Sequence, residues 1–178
     1  KVLQIFGFHT DQEQKDVIYI CFLNMARAGL LALEFYDPKS RKWGQAHMQA
    51  RFAILQVFLK CGLVQIDNIH EEKDLVIHLD AAKILTHAVP AIGSFLTALN
   101  VYKATANASE GLAFFDEATS VPENWIAFRD IVLARKLPRK VFIQGNTFIE
   151  SDGTVTFKEY PATMQGFIDS FVERSFVF

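Results

Sequence analysis

Cysteine is scarce in this sequence: Cys21 and Cys61 are the only two among 178 residues. They form no CxxC and no disulfide-dense framework, and both fall within apolar helical patterns. They therefore read as core thiols in a reducing compartment, the cytoplasm. Excess charge is missing too. A formal net charge of -2 exerts no global pull on nucleic acid. Basic residues gather at Arg135, Lys136, Arg139 and Lys140, without interleaved aromatics, so nucleic acid is not an expected partner. No HExxH, no GxSxG elbow and no Gly-rich phosphate loop occurs, and His9, His47, His70, His78 and His87 lie at no metal-ligand spacing. His70-Glu71-Glu72 reads as a solvated turn, so no metal is expected on this chain. No apolar run approaches the roughly 18 to 20 uncharged residues that span a bilayer, because Asn24, Arg27 and Glu34 interrupt the strongest candidate; a membrane span is not expected. The chain starts at Lys1 without a signal-peptide pattern, which suggests an interior piece of something longer.

Apolar residues, in contrast, are abundant. With 51% hydrophobic residues, 17 Phe and a mean hydropathy of +0.15, the chain is richer than a fully solvated domain requires, which suggests a surface meant for a partner. The spacing predicts a helix from about Gln12 to Tyr36, with Asp11 or Thr10 as N-cap. Its second face, with Ile20, Leu23, Leu30 and Leu31, makes it apolar all round and hence buried, with Arg27 and Glu34 as a buried ion pair or an active-site wall. A polar loop with Pro38 leads to a second helix from about Gln45 to Lys60, stopped by Gly62. Leu63 to Ile66 and Leu75 to Leu79 read as a hairpin. Asp80 caps a short helix to about Thr86, Pro90 opens another to about Lys103, and Asn107 to Ala118 and Pro122 to Lys136 give two more. Arg139 to Ile149 and Thr154 to Tyr160 make a hairpin across Ser151-Asp152-Gly153, and Pro161 opens a final helix. The expected fold is mainly α with a small β-hairpin insertion and a C-terminal hairpin plus helix, α+β overall. The expected boundary separates a helical part, residues 1–137, from a tail, residues 138–178, which would complete a sheet elsewhere.

Chemistry concentrates at Gln45-Ala46-His47-Met48-Gln49-Ala50-Arg51. On a helix His47 and Arg51 stand about 40° apart in azimuth and about 6 Å apart along the axis, so both reach one ligand. Gln45 would project away from them if helical and joins them only from a non-helical lead-in, which Gly44 permits. Imidazole can donate to an oxyanion. A packed or solvated histidine is the commoner meaning of a lone His on a helix flank. Arg135-Lys136 ends a helix, where positive charge suits the macrodipole. Arg139-Lys140 opens a strand and is either a solvated strand end or a clamp for a peptide carboxylate.

Asp16-Val17-Ile18-Tyr19, Arg27 to Tyr36, Trp43, Gln45 to Arg51, Arg129-Asp130 and Arg139-Lys140 with Gln144 and Asn146-Thr147 resemble, in order, stretches of the dipeptidyl peptidase III family of zinc exopeptidases. The resemblance runs over essentially the whole chain. It implies a two-lobed enzyme with a wide cleft, of which this chain is the C-terminal part of the helical, catalytic lobe, crossing back to the second lobe near Pro138. The family's zinc ligands and catalytic Glu, in His-Glu-x-x-Gly-His and Glu-Glu-x-x-Ala-Glu motifs, would lie upstream of Lys1, so zinc belongs to the full-length enzyme and none is bound by this chain. His47 resembles the histidine that steadies the scissile carbonyl, Gln45 and Arg51 substrate contacts on the same wall, and Arg139 and Lys140 the basic pair at the far end of a short peptide. The implied activity is removal of dipeptides from the N-terminus of short peptides, with this chain inactive in isolation. Its implied partners are peptide substrates and the missing N-terminal part of the same protein. The alternatives are a non-catalytic peptide-binding module and a structural helical module.

Overall fold

In the computed structural model of the chain the described residues are 2–67, 76–136 and 143–175. They are mainly α-helical with short antiparallel hairpins and fall into two compact units, within residues 1–136 and within residues 137–178. In the first, a short helix α1 (Val2–Ile5) precedes α2 (Asp11–Leu31). Thr10, not Asp11, caps α2: its hydroxyl accepts from the Glu13 N–H at 3.2 Å while the Glu13 carboxylate accepts from the Thr10 N–H at 2.9 Å. This reciprocal pair satisfies two N–H groups that the helix leaves orphaned, and it holds the Glu13 carboxyl below the usual carboxylate range.

The buried stripe of α2, Ala26, Gly29 and Leu30, packs on α3 (Ala46–Lys60). Gly29 permits the close approach, since a Cβ there would stand 2.5 Å from Leu55 Cβ and 2.7 Å from the Arg51 carbonyl oxygen. From α3 the core takes Phe52, Leu55 and Phe58, each 0% exposed, joined by Leu33, Leu63 and Val64. Burial of each such side chain contributes about 1.5–3 kcal/mol relative to leaving it in water. Aromatic rings extend the core in a chain: Tyr36 to Trp43 at 5.3 Å, Trp43 to Phe52 at 5.1 Å, Phe52 to Trp125 at 5.7 Å and Trp125 to Phe128 at 4.7 Å between centroids.

Strands β3 (Val64–Ile66) and β4 (Ile77–Leu79) pair antiparallel, where the sequence predicts a hairpin. The short helix expected after Asp80 is instead a π-helical turn, Ile84–Ala88, running directly into α4 (Val89–Ala104), with Pro90 in its first turn. Lys103 to Ala106 turn the chain, Ala106 taking a positive φ of 54°, and Asn107 caps α5 (Ala108–Ala118). Helices α4 and α5 touch through Phe95, Tyr102 and Phe114. A single 3-10 turn, Glu123–Trp125, opens α6 (Ile126–Ala134).

Three expectations are corrected. Helix α2 is not enclosed: Arg27 and Glu34 are exposed and Ile20 is 53% exposed, because only the Ala26-Gly29-Leu30 side meets α3. Cys21 is exposed and Cys61 half-buried, and both thiols are free. Charged interruptions did not rule out apolar length. By length and composition alone Asp11–Phe35 and Ile84–Ala104 are apolar enough to cross a membrane: two charges in an 18-residue window leave the first apolar on average, and the second carries no Asp, Glu, Lys or Arg from Ile84 to Tyr102.

In the second unit β5 (Asn146–Ile149) and β6 (Val155–Lys158) form the expected antiparallel hairpin. Gly153 supplies a φ of 84° at the turn and Asp152 accepts from the N–H and hydroxyl of Thr154. Helix α7 (Met164–Ser175) packs on β5. Buried Asn146 donates to the Ser170 carbonyl at 3.2 Å and to the Tyr160 hydroxyl at 2.8 Å; that hydroxyl donates to Glu173, which also pairs with Lys158 at 2.5 Å.

Candidate functional site

The candidate site is built at the entry to α3. After α2 the chain tightens through a 3-10 turn, Ala32–Phe35, into β1 (Tyr36–Asp37), which pairs with β2 (Lys42–Trp43). Asp37 organises the intervening turn by accepting from the Ser40 hydroxyl at 2.6 Å and from the N–H groups of Lys39 and Ser40. Those bonds hold its carboxyl below the usual range, the Ser40 hydroxyl being the largest cause. Arg129 on α6 donates through Nε to the Tyr36 carbonyl at 2.7 Å and fixes this turn to the helical body. The Gly44 N–H then closes back on the Phe35 carbonyl at 2.7 Å.

Gln45 follows in extended conformation, φ -149° and ψ 124°, as the N-cap residue of α3. It therefore stands in the non-helical lead-in from which it can accompany His47 and Arg51. Its carbonyl starts the helix by accepting from the N–H groups of Met48 and Gln49, both at 3.1 Å, while its side chain makes no cap bond. His47 and Arg51 are both helical, one turn apart, and all three residues are exposed. Arg51 rests one guanidinium nitrogen 3.6 Å from Met48 Sδ. Two polar donors beside them are engaged elsewhere: Gln49 Nε2 donates to the Thr119 hydroxyl at 2.8 Å, and Trp43 Nε1 to the Thr119 carbonyl at 3.1 Å.

The wall expected to be buried is thus an open face of this chain. His47 and Arg51, in the first two turns of α3, are both exposed, so the core that buries Phe52, Leu55 and Phe58 does not seal them. A depression of about 470 Å³ lies beside the lead-in, lined by Tyr36, Lys42, Trp43, Gly44 and Arg129 among others, but Gln45, His47 and Arg51 do not line it. Arg139 and Lys140 lie outside the described residues. Among the described residues no three His, Cys, Asp or Glu side chains gather to hold a metal ion, so they do not fit a zinc site. The sequence reading passed over Gln49 and Thr119. Both residue types are unremarkable singly, and their contact spans 70 positions, beyond the reach of any periodicity.

With this geometry in view, the comparison with known proteins is decisive: the family model described as peptidase family M49 matches residues 1–175. The chain belongs to peptidase family M49. Among M49 relatives it is 48% identical over 178 residues to dipeptidyl peptidase 3 of Dictyostelium discoideum, covering 98% of this chain and 26% of that protein. Dipeptidyl peptidase 3 of Nematostella vectensis is 46% identical, with 97% of this chain and 24% of that protein covered. The Homo sapiens protein of the same name is 44% identical, with 98% and 25% covered. The chain therefore spans about a quarter of the length of these M49 relatives.

Proposed function

We propose that these residues belong to a zinc-dependent dipeptidyl peptidase that releases dipeptides from the N-terminus of short peptides in the cytoplasm, as the C-terminal part of its catalytic lobe. Zinc, when bound in the longer protein, would supply Lewis-acid polarisation and an activated water, held by residues outside this chain. His47 has the role of donating a hydrogen bond to the scissile carbonyl oxygen as negative charge gathers on it. Charge stabilisation of this kind accelerates the step only where the donor is aimed at the developing oxyanion. Arg51, one turn along, offers a planar fork to a carbonyl or carboxylate of the same peptide, and Gln45 an amide. Arg139 and Lys140 are assigned to the peptide's far end.

The observation that carries this reading is the exposed, one-turn pairing of His47 and Arg51 on a helix anchored by buried Phe52, Leu55 and Phe58, within a chain 44–48% identical to proteins named dipeptidyl peptidase 3. The test is His47→Asn in the full-length protein, with steady-state kinetics on a dipeptidyl arylamide, metal analysis and thermal unfolding. Turnover is expected to fall about 10²–10³-fold, the cost of one oxyanion donor, with zinc content and stability unchanged. Wild-type turnover in that variant removes His47 from the reaction.

A further inference from the structure

Helix α3 begins without the usual means of fixing its first turn. Gln45 makes no side-chain cap bond and the turn holds no acidic residue, so four N-terminal N–H groups have no local side chain to order them. Yet this is the turn that presents His47. What holds it comes from a residue 70 positions away in sequence. Thr119, the residue that ends α5, is 2% exposed, and its hydroxyl and carbonyl are both engaged. Its hydroxyl accepts from Gln49 Nε2 at 2.8 Å and donates to the Phe115 carbonyl at 2.9 Å, while its own carbonyl accepts from Trp43 Nε1 at 3.1 Å. Trp43 lies just before the Gly44-Gln45 lead-in and Gln49 is the fourth residue of α3. One buried residue therefore grips both ends of the segment 43–49, with His47 between them. The Thr119 hydroxyl has a defined direction, because donating to Phe115 leaves its lone pairs to receive the Gln49 amide.

We propose that Thr119 is a positioning residue for His47, acting through Gln49 and Trp43; this rests on the assignment of His47 to the reaction. The hydroxyl sets the azimuth of the first turn of α3 and so the direction of the imidazole. A displacement of about 1 Å at a reacting group is enough to cost up to about 10²-fold in rate. Removing the hydroxyl leaves Trp43 its carbonyl acceptor, so the lead-in stays attached, while the Gln49 amide loses its 2.8 Å bond and keeps only the 3.5 Å contact with the Asp116 carboxylate.

The experiment uses the full-length protein carrying Thr119→Val, Thr119→Ser, Gln49→Met and His47→Asn, singly, and Thr119→Val combined with His47→Asn. T119V is expected to lower kcat about 10-fold with KM within about 2-fold, Q49M to reproduce the loss, and T119S to restore kcat to within about 2-fold. In the H47N background T119V is expected to cost no further turnover, whereas a loss through general destabilisation would multiply with that of H47N. If T119V does not fold, Q49M carries the same reading, since the hydroxyl then keeps its bond to Phe115. Wild-type kcat in both T119V and Q49M, beside a clear loss in H47N, overturns the role of Thr119 alone. Equal losses in T119S and T119V overturn it too, because the hydroxyl would not be the agent. Unaltered turnover in H47N brings down both this inference and the assignment beneath it.

Discussion

Helices α3 and α4 are of similar length and both apolar, yet they are held in opposite ways. From Val89 to Tyr102 α4 carries no charged residue, while α3 carries Arg51 and Lys60 within its span. The more apolar helix is nevertheless the barer one. In α3, Phe52, Leu55 and Phe58 are fully buried; in α4 no residue is, and Val89, Leu96 and Val101 are 47%, 52% and 53% exposed. Composition tells how much surface a helix would shed from water, and the number of neighbours decides how much it sheds. Helix α3 meets α2, α5 and the turn after α2 on several sides, whereas α4 leaves a whole flank open. An open apolar flank of this kind marks a contact surface when large, and here it occurs in a chain spanning about a quarter of the length of its relatives.

Truncation at the two helices gives the largest expected contrast. Phe52→Ala removes a ring packed between Trp43 and Trp125 and should destabilise by about 3–5 kcal/mol, transfer and cavity terms together. Leu96→Ala, judged by its exposure in this unit, should cost under about 1 kcal/mol. Urea unfolding of the full-length variants measures both. Comparable losses at Leu96 and Phe52 would break the contrast and show that the α4 flank is covered in the longer protein.

Gly29→Ala sharpens the same contrast from the α2 side. The added methyl would meet Leu55 Cβ and the Arg51 carbonyl, neither the flexible end of a side chain, so α2 and α3 must part. Overpacking of this sort costs about 1–3 kcal/mol. Because the displaced carbonyl belongs to Arg51, KM should rise along with the lowered unfolding midpoint. A Gly29→Ala protein with wild-type midpoint and KM would mean that the helix pair is loosely set and that Arg51 does not depend on it.

Much of this architecture was legible from local signals. Thr10, one of the two caps expected for α2, Pro90, Asn107 and the Ser151-Asp152-Gly153 turn each act within a few residues, and each marks an element boundary in the structure. Burial was less legible. Periodicity shows that a helix has two apolar faces without saying whether a neighbour exists for the second, which is why Arg27, Glu34 and Cys21 turned out exposed. The non-helical geometry of Gln45 was left open by Gly44 beside a helix expected from about Gln45, but the Thr119 grip on α3 had no local signal at all. It joins residues whose separation in sequence is set by the tertiary fold alone.

A third helix, α7, is held by polar bonds, and its expected response to pH is the mildest effect. The Lys158 ammonium and then the Tyr160 hydroxyl, both donating to Glu173, hold that carboxyl below the usual range; Lys158 is raised, chiefly by its bond to Glu173. A carboxyl depressed in the folded state contributes stability that is complete above its unfolded pKa, about 4.3, and is lost as pH falls through the lower folded value. The Lys158 contribution has the opposite sign, complete below about 10.4 and lost as pH rises through its raised value. The attachment of α7 to the hairpin should therefore be independent of pH across the neutral range and weaken only at the two extremes. Because the pair is exposed to solvent and salt, the change should be small. Following the Glu173 side-chain carboxyl by carbon NMR tests the acid limb, with Lys158→Met expected to move its titration up toward the ordinary range. A Glu173 that already titrates there in the unmodified protein would mean that α7 relies on Asn146 and its bond to the Ser170 carbonyl, and not on charge.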